Sequence, residues 1–223
     1  MSKLKKNVIW NMVGASANAF TSLIFAIIVT RINGLEEAGI FTYAFATSCL
    51  FFVIAIYAGR TFQVTDITEK NSDTDYIYHR ILTCIIMMLS IIAFTIIKGY
   101  DIFKSSIIIL LCFYKVTEAF SEVWYAILQK KEELYKVGIS MTIKAIFSMV
   151  VLLIVDYLTK NLIISCISII GVNLLCIIFY DLNNIRQIGI TITKFSIEKI
   201  KDIFVSGFFT FILTFLGAYL INA

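Results

Sequence analysis

The sequence contains no proline and 10 glycines among its 223 residues. Helix-breaking positions are therefore few, and long uninterrupted helices are expected. Charged residues make up 15% of the chain and hydrophobic residues 60%, with a mean hydropathy of +0.91. Soluble domains contain about 45–50% apolar residues. The composition therefore predicts an integral membrane protein.

The residue patterns of familiar active sites are also missing. The sequence has no HExxH, no GxSxG and no Walker loop, and its five cysteines include no CxxC pair. The single histidine, His79, has no clustered metal-ligating neighbours in the sequence. The net charge is +4, and the basic residues form no stripe of the kind that binds nucleic acid. We therefore expect neither an enzyme nor a protein with a metal or other cofactor, and no nucleic-acid partner.

What the sequence does contain is a series of apolar blocks separated by short charged connectors. Each block holds about 20 residues, the length that a helix needs to cross a hydrocarbon core of ~30 Å. Strands of a membrane barrel would be about half as long. The pattern predicts an all-α integral membrane protein, a polytopic helix bundle with seven spans. The predicted spans are residues 8–30, 39–58, 80–97, 105–127, 138–157, 162–180 and 203–222.

The distribution of Lys and Arg predicts the orientation of these spans. The first span follows a basic start without a convincing cleavage site, so we interpret it as retained. With the N-terminus inside, thirteen of the 19 Lys and Arg residues fall in inner segments and four in outer loops. Cytoplasmic loops retain positive charge. We therefore expect a multi-pass protein of the bacterial cytoplasmic membrane whose N-terminus is cytoplasmic.

The segment before the seventh span has two interpretations. In "TKFSIEKIKDIF", apolar Phe195, Ile197 and Ile200 alternate with charged residues at helical spacing. Such a segment can lie along the inner membrane surface. It can equally be a charged helical start of the seventh span.

The fourth span contains three ionisable residues, Lys115, Glu118 and Glu122. A charge near the bilayer centre costs at least ~2.5–3.5 kcal/mol, so charges retained there usually face a bundle interior or a watery cavity. At 100° per residue the three side chains fit within an arc of about 60°. They are therefore predicted to share one face of the helix.

Two interpretations of this face remain open. In the first, Lys115 and Glu118 neutralise one another at i, i+3 and Glu122 reaches the inner interface. One carboxylate then lacks a cation, and Lys144 in the fifth span, with Ser140 and Ser148 on its face, is a candidate partner. In the second, these groups form an interhelical polar network that lines a cavity.

The first span carries a stripe of small and amide residues. Asn11, Gly14, Asn18 and Ser22 lie within about 80° of one another on a helical wheel. Such a stripe indicates either close helix packing or the wall of a cavity. Asn173 is a lone polar residue in the sixth span, and we interpret it as an interhelical hydrogen bond.

Two stretches resemble a known family. In residues 30–67, "TRINGLEEAGIFTYAFATSCLFFVIAIYAGRTFQVTDI", the resemblance depends on two runs of spaced residues. The runs are Arg31, Gly34, Glu36, Gly39 and Phe41, and then Gly59, Arg60, Gln63 and Asp66. "ILQKKEELYKVGIS", residues 127–140, looks like the connector between the family's fourth and fifth spans. The chain thus resembles the polysaccharide or O-antigen flippases (Wzx-like, the oligosaccharide flippase family) of the multidrug/oligosaccharidyl-lipid/polysaccharide exporter superfamily, although here Arg60 directly follows Gly59.

The resemblance implies an alternating-access exporter built from two six-helix lobes. Residues 1–202 would form the N-terminal lobe, and residues 203–223 the first span of a missing or truncated C-terminal lobe. The implied function is translocation of undecaprenyl-pyrophosphate-linked oligosaccharide for capsule, O-antigen or other surface polysaccharide synthesis. The implied partners are this lipid-linked oligosaccharide, membrane lipids, and a further lobe or other membrane proteins of polysaccharide assembly.

On this interpretation Lys115 and Lys144 attract the pyrophosphate, while Glu118 and Glu122 hold the charge of the empty state and take part in ion coupling. Asn11 and Asn18 line the same cavity. At the inner mouth, the motif residues form a gate network or fix the loop to the helix ends. These motif residues are Arg60, Gln63 and Asp66. The alternative functions are a drug or cation antiporter of the same superfamily and a membrane-embedded polysaccharide polymerase or glycosyltransferase.

Overall fold

The computed structural model describes residues 2–66, 70–190, 194 and 196–222, without the side chains of 221 and 222. The regular structure in these ranges is helical, which confirms the predicted all-α bundle. The helices are α1 (Lys3–Asn33), α2 (Leu35–Ile56), α3 (Gly59–Thr65), α4 (Asp73–Lys98), α5 (Ile102–Lys130), α6 (Leu134–Thr159), α7 (Leu162–Cys176), a π-helical turn (Ile177–Asp181), α8 (Leu182–Ile188) and α9 (Ile197–Asn222).

Polar caps set the beginnings of several helices. At α4, the Ser72 hydroxyl accepts from the Asp75 N–H and the Asp75 carboxylate accepts from the Ser72 N–H, which forms a capping box. Asp101 caps α5 by accepting from the Lys104 N–H, and Asn161 caps α7. Each cap satisfies backbone donors that a helix start leaves without intrahelical partners. Helices α4 and α5 therefore begin before the predicted spans, whereas α7 begins at the predicted residue 162.

Six helical segments in the described ranges are long and apolar enough to cross a membrane. Helix α5 is also long, but it carries the three charges predicted to share a face. It packs against α2, α4, α6 and α7, and most of its residues from 107 to 128 are buried. Its charges are therefore enclosed by neighbouring helices, where hydrogen-bond and ion-pair partners are available.

Two interruptions in the helices lie near the ends predicted for the second and sixth spans, at residues 58 and 180. Tyr57 and Ala58 adopt left-handed backbone conformations, with φ of 37° and 54°, and separate α2 from α3. The π-helical turn separates α7 from α8. Residues other than glycine rarely adopt positive φ, so the sequence does not reveal that the second span ends in a left-handed conformation. The break at Tyr57 ends the second span and starts α3, the short helix that carries Arg60.

The segment before the seventh span is continuous with that span. Helix α9 begins at Ile197, so the charged-start interpretation is the one found, and the predicted boundary after residue 202 falls inside this helix. The Ser196 N–H donates to Asp75 Oδ1 at 3.0 Å, and Lys199 lies 3.7 Å from the same carboxylate. Phe195, which that prediction also used, lies outside the described residues.

The outward faces of the long helices are strongly apolar. Ile96 on α4 is 73% exposed and Phe209 on α9 is 78% exposed, and many other large apolar side chains lie open on this surface. Soluble monomers rarely expose contiguous apolar patches of this extent. The surface is the one expected of helices that contact lipid.

Candidate functional site

A polar cavity of about 300 Å³ lies between α1, α2, α5 and α6. Five of the residues predicted from the sequence line it, together with aromatic and hydroxyl side chains. The five are Asn18, Lys115, Glu118, Glu122 and Lys144. The helical wheel of α5 therefore placed its three charges correctly on one face, and Lys144 meets them from the neighbouring helix.

Lys115 forms an ion pair with Glu118. Lys115 Nζ lies 2.7 Å from Glu118 Oε2, one helical turn away on α5. The ammonium also lies 4.8 Å from the ring centroid of Phe45 on α2, a cation–π distance. Lys115 is 8% exposed, so its charge is largely removed from solvent and needs this partner. The i, i+3 pair considered from the sequence is thus present, and it forms part of the cavity wall.

Glu122 is paired with a residue of the predicted inner-mouth motif. Arg60 Nη1 on α3 lies 2.8 Å from Glu122 Oε2. The same guanidinium donates to Gln129 Oε1 from Nε and Nη2, at 3.3 and 3.0 Å. The left-handed break after α2 turns Arg60 toward α5 and makes this contact possible. The motif at the end of the second span is therefore physically joined to the cavity.

Lys144 is not the partner of the surplus carboxylate on α5, which corrects the expectation from the sequence. Its Nζ contacts Asp181 Oδ2 and donates to Ser121 Oγ at 2.7 Å and Tyr125 OH at 3.1 Å. Ser140 Oγ donates to the other Asp181 oxygen at 2.6 Å. Asp181 is wholly buried, because the π-helical turn carries it into the bundle. Glu122 is already neutralised by Arg60, so Lys144 is available to Asp181.

Asp181 is a site residue that sequence reasoning missed. The predicted sixth span ended at residue 180, so Asp181 was assigned to a polar connector. Two features of the sequence could have indicated it. Asp181 directly follows an apolar block, and Lys144 lies inside a predicted span without an acidic partner on its own helix face. A buried cation needs a buried anion. That requirement predicts an additional acid but does not identify it, since the pair is separated by 37 residues.

Two cations and two carboxylates line the cavity, and each belongs to an ion pair, two of them completed by Arg60 and Asp181 behind the lining. The pairs are Lys115 with Glu118, Arg60 with Glu122, and Lys144 with Asp181. Breaking a buried pair by removing one partner leaves an uncompensated charge at a high free-energy cost. An anion that enters this cavity would compete with these carboxylates for the cations. The arrangement is suited to exchange of anionic partners on fixed cations.

The stripe of small and amide residues on α1 includes residues that pack against α6 and a residue that lines the cavity. Gly14 and Gly138 let α1 and α6 approach closely, since a Cβ on Gly138 would overlap the Trp10 carbonyl oxygen and lie 2.7 Å from Asn11 N. Asn11 lies at this crossing and does not line the cavity, so it belongs to the packing interpretation. Asn18, further along α1, lines the cavity. Of the two asparagines predicted to line a cavity, Asn18 lies in the wall of this one and Asn11 lies at the α1–α6 crossing.

The two remaining motif residues contact the start of α4 and its preceding loop. Gln63 Nε2 donates to Asp73 Oδ1 at 3.3 Å. Asp66 accepts from the backbone N–H groups of Lys70 and Asn71, both at 3.0 Å. Burial raises the pKa of Asp66, but these hydrogen bonds outweigh it and leave the pKa below its ordinary value. Gln63 thus joins α3 to the first turn of α4 and Asp66 holds the backbone just before α4, while Arg60 contacts the cavity residue Glu122.

Other buried polar groups stabilise the bundle around the cavity. Asn173 Nδ2 donates to Thr117 Oγ1 on α5 at 3.0 Å, which confirms the predicted interhelical hydrogen bond. Arg80, the first residue of the predicted third span, is buried inside α4. Its guanidinium donates to the Ala55 carbonyl, which satisfies the end of α2, and it packs against Gly59. His79 beside it is buried against Phe204 of α9, with ring centroids 4.5 Å apart.

Comparison with known proteins gives one distant match. The chain is 28% identical over 169 residues to the capsular polysaccharide biosynthesis protein CapF of Staphylococcus aureus. The similarity is to a protein of capsular polysaccharide biosynthesis. The match covers 73% of this chain and 42% of CapF, so the chain spans less than half the length of this relative. No family model and no solved structure matches the chain.

Proposed function

We propose that the chain forms part of a transporter that moves undecaprenyl-pyrophosphate-linked oligosaccharide across the cytoplasmic membrane for surface polysaccharide synthesis. The observation that carries the proposal is the cavity within a membrane-spanning bundle, which is lined by two cations, Lys115 and Lys144. The similarity to a capsular polysaccharide biosynthesis protein supports a role in this kind of pathway. The resemblance of residues 30–67 to polysaccharide flippases supports translocation as the activity.

The proposed mechanism is exchange of a carboxylate for a pyrophosphate on the cavity cations. Lys115 and Lys144 donate to phosphate oxygens, and charge-assisted bonds of this kind are strong where the local dielectric is low. In the empty state Glu118 and Asp181 hold the ammonium groups. The sugar occupies the polar cavity while the isoprenoid chain stays in the bilayer. We expect the exchange to take place at Lys115, because its partner Glu118 lies on the same helix and can move aside without separating two helices.

The proposal also includes a second wall for this path. CapF extends well beyond the matched region, which is 42% of its length. We infer that further membrane segments, in the same chain or in another protein of polysaccharide assembly, face the cavity and allow access from either side in turn. The N-terminus is proposed to lie in the cytoplasm, as the positive-inside distribution predicts.

Substitutions at the Lys115 pair test the mechanism because they have opposite expected effects. Lys115→Ala removes the cation, so we expect binding of undecaprenyl-pyrophosphate-oligosaccharide by the purified protein to weaken by about tenfold or more, with a matching loss of polysaccharide export. Glu118→Gln removes the competing carboxylate, so we expect tighter binding of the same ligand. Lys98→Ala, at the exposed end of α4, is the matched control and should leave both measurements unchanged.

Normal export by Lys115→Ala at normal protein levels would show that Lys115 has no role in pyrophosphate binding. Two other outcomes would replace the proposed function itself. Proteoliposomes that exchange cationic drugs for cations but do not move lipid-linked sugar would indicate an antiporter. Transfer of sugar by the purified protein would indicate a polymerase or glycosyltransferase.

A further inference from the structure

A second pocket, the α8 pocket, lies on the face of α5 opposite to the polar cavity. It measures about 320 Å³, and its lining comes from α4, α5, α8 and the turn after α8. Trp124 is the lining residue on α5, and it lies about 200° around that helix from Glu122, which lines the cavity. Helix α5 therefore separates the α8 pocket from the site proposed to bind pyrophosphate.

One side of the α8 pocket is cationic. Arg186, in the last turn of α8, is exposed and lines the pocket. Among the described residues it belongs to none of the ion pairs, and none of the lining residues is acidic. A guanidinium presents a planar fork of donors that matches the oxygens of a phosphate. This side of the pocket is therefore complementary to an anion.

The wall of the α8 pocket contains a second donor, the indole N–H of Trp124. Trp124 is 7% exposed, and its Nε1 atom is buried without a hydrogen-bond partner in the described part of the chain. Buried indole N–H groups usually find an acceptor, and buried polar atoms without one are rare. An oxygen atom of a molecule bound in the pocket would supply the missing acceptor.

The remaining side chains of the lining are apolar, and they continue along the surface of two helical segments. Ile77 and Leu182 line the pocket itself. On α4, Ile81 and Ile85 follow Ile77 at intervals of four residues, so the three lie on one face, and the latter two are exposed. Ile178, four residues before Leu182, is also exposed. An apolar surface therefore runs from the pocket along two segments that are long and apolar enough to cross a membrane.

One class of molecule matches the cation, the indole donor and the apolar surface together. A free phosphate would contact the guanidinium but not the apolar surface, and a zwitterionic phospholipid brings its own cation to the phosphate. An anionic phospholipid presents a phosphate, ester oxygens and acyl chains in that order along its length. Basic pockets between membrane helices bind such headgroups, and tryptophan is enriched at the level of the headgroups.

We propose that the α8 pocket binds one anionic phospholipid of the phosphatidylglycerol type. Its phosphate pairs with Arg186, its ester oxygens accept from Trp124 Nε1, and its acyl chains lie on the apolar surface that leaves the pocket. The lipid thereby joins α4 to α8 behind α5. The proposal goes beyond oligosaccharide transport and does not depend on it, because Trp124 and the cavity residues lie on opposite faces of α5.

Quenching of Trp124 fluorescence by brominated lipids tests the site. Trp10→Phe leaves Trp124 as the single tryptophan of the chain. The full chain with this substitution is placed in phosphatidylcholine vesicles that contain increasing fractions of brominated phosphatidylglycerol or, in a parallel series, of brominated phosphatidylcholine. We expect saturable quenching in which phosphatidylglycerol is favoured about fivefold, the preference that one basic residue near a membrane surface provides.

Variants in the same background locate the lipid. Arg186→Gln removes the cation at an exposed position, so the preference for phosphatidylglycerol should disappear. Lys201→Gln is the matched control and should keep the preference, since Lys201 is an exposed basic residue near the start of α9, which contacts the start of α4, and does not line the pocket. Ile77→Phe fills the pocket without changing any charge, and the preference should again disappear.

Equal quenching by the two lipids in the Trp10→Phe protein would overturn the proposal, as would an unchanged preference in Arg186→Gln. Equal losses in Arg186→Gln and Lys201→Gln would also overturn it, because they would indicate a general attraction to surface charge. A full preference in Ile77→Phe would place the lipid outside the pocket. Relief of the quenching by millimolar inorganic phosphate would assign a free anion to Arg186 and overturn the lipid assignment.

Discussion

At the scale of single residues, the buried pair of Lys144 and Asp181 joins three helical segments. Lys144→Ala leaves Asp181 buried without a cation, and Asp181→Ala leaves the ammonium without an anion. We expect each single substitution to lower the free energy of unfolding by about 3–5 kcal/mol. The double variant should lose no more than the worse single variant, because it leaves no unpaired charge. Unfolding titrations with sodium dodecyl sulphate in mixed micelles measure these differences.

An exposed ion pair provides the comparison for this prediction. Lys70 and Asp202 lie 3.0 Å apart, with side chains 67% and 54% exposed. Lys70→Ala should change stability by less than about 1 kcal/mol, since solvent replaces a surface pair at little cost. Additive losses in the double variant of Lys144 and Asp181 would contradict coupling between those two residues.

The residues that sequence reasoning placed correctly share a helix or a simple periodic rule. The positions of Lys115, Glu118 and Glu122 followed from 100° per residue along a single helix. The partners of Glu122 and Lys144 did not, because Arg60 is 62 residues from Glu122 and Asp181 is 37 residues from Lys144. A helical wheel relates residues within one helix and contains no information about which helices are neighbours.

At the scale of helices, the crossing of α1 and α6 depends on two glycines. Gly138→Ala would place a methyl group against the Trp10 carbonyl, which is backbone and cannot rotate away. We expect α1 and α6 to separate at this point, with a loss of about 1–3 kcal/mol in the free energy of unfolding. Because Asn18 lies on α1 and Lys144 on α6, the cavity between them should also change shape. Unfolding titrations and cross-linking of α1 to α6 measure the two effects.

Gly171 supplies a matched control for the crossing. It also lies inside a helix, but a Cβ there would meet no atom within 4 Å apart from its chain neighbours and the nearby backbone of its own helix. Gly171→Ala should therefore be neutral or stabilising by up to about 1 kcal/mol, as helix propensity predicts. If Gly138→Ala and Gly171→Ala had the same effect, close packing of α1 on α6 would not limit stability.

In the described ranges, six long helical segments could be predicted because their apolar blocks match the thickness of a membrane, and α5 could be predicted as a seventh long helix that carries charges. The backbone conformations at the breaks could not be predicted. Tyr57 and Ala58 carry no glycine or proline signal, and their left-handed conformations are stabilised by tertiary contacts, such as Tyr57 stacked on Phe211 of α9 at 4.6 Å. The turn that buries Asp181 likewise lies within an apolar run. Hydropathy predicts where a helix crosses the membrane, whereas the surrounding packing decides where it bends.

At the scale of the whole molecule, the prediction to test is that the N-terminus lies in the cytoplasm. Which loops are inner and which are outer follows from this orientation. Lys5 lies in the exposed start of α1, and Lys160 lies in the exposed turn between α6 and α7. With the N-terminus inside, a membrane-impermeant maleimide added to intact cells should label Lys160→Cys but not Lys5→Cys. Lys5→Cys should react after the membrane is permeabilised.

The unaltered protein is the control, because its own five cysteines set the background. Cys84, Cys112 and Cys166 are buried, and Cys49 and Cys176 are partly buried, so this background should be low. Labelling of Lys5→Cys in intact cells would reverse the orientation. The proposed inner mouth at Arg60 would then face outward.

The distance in sequence between Lys144 and Asp181 has a consequence for how the protein is made. The ribosome must add 37 residues after Lys144 before its carboxylate partner exists. At about 5–20 residues per second, that interval is roughly 2–7 seconds. Ser121 and Tyr125 on α5 have already been synthesised and can hydrogen-bond the ammonium during this time. We therefore expect α5 and α6 to leave the translocon as a pair. The ion pair with Lys144 forms later, when the turn after α7 that contains Asp181 has been synthesised.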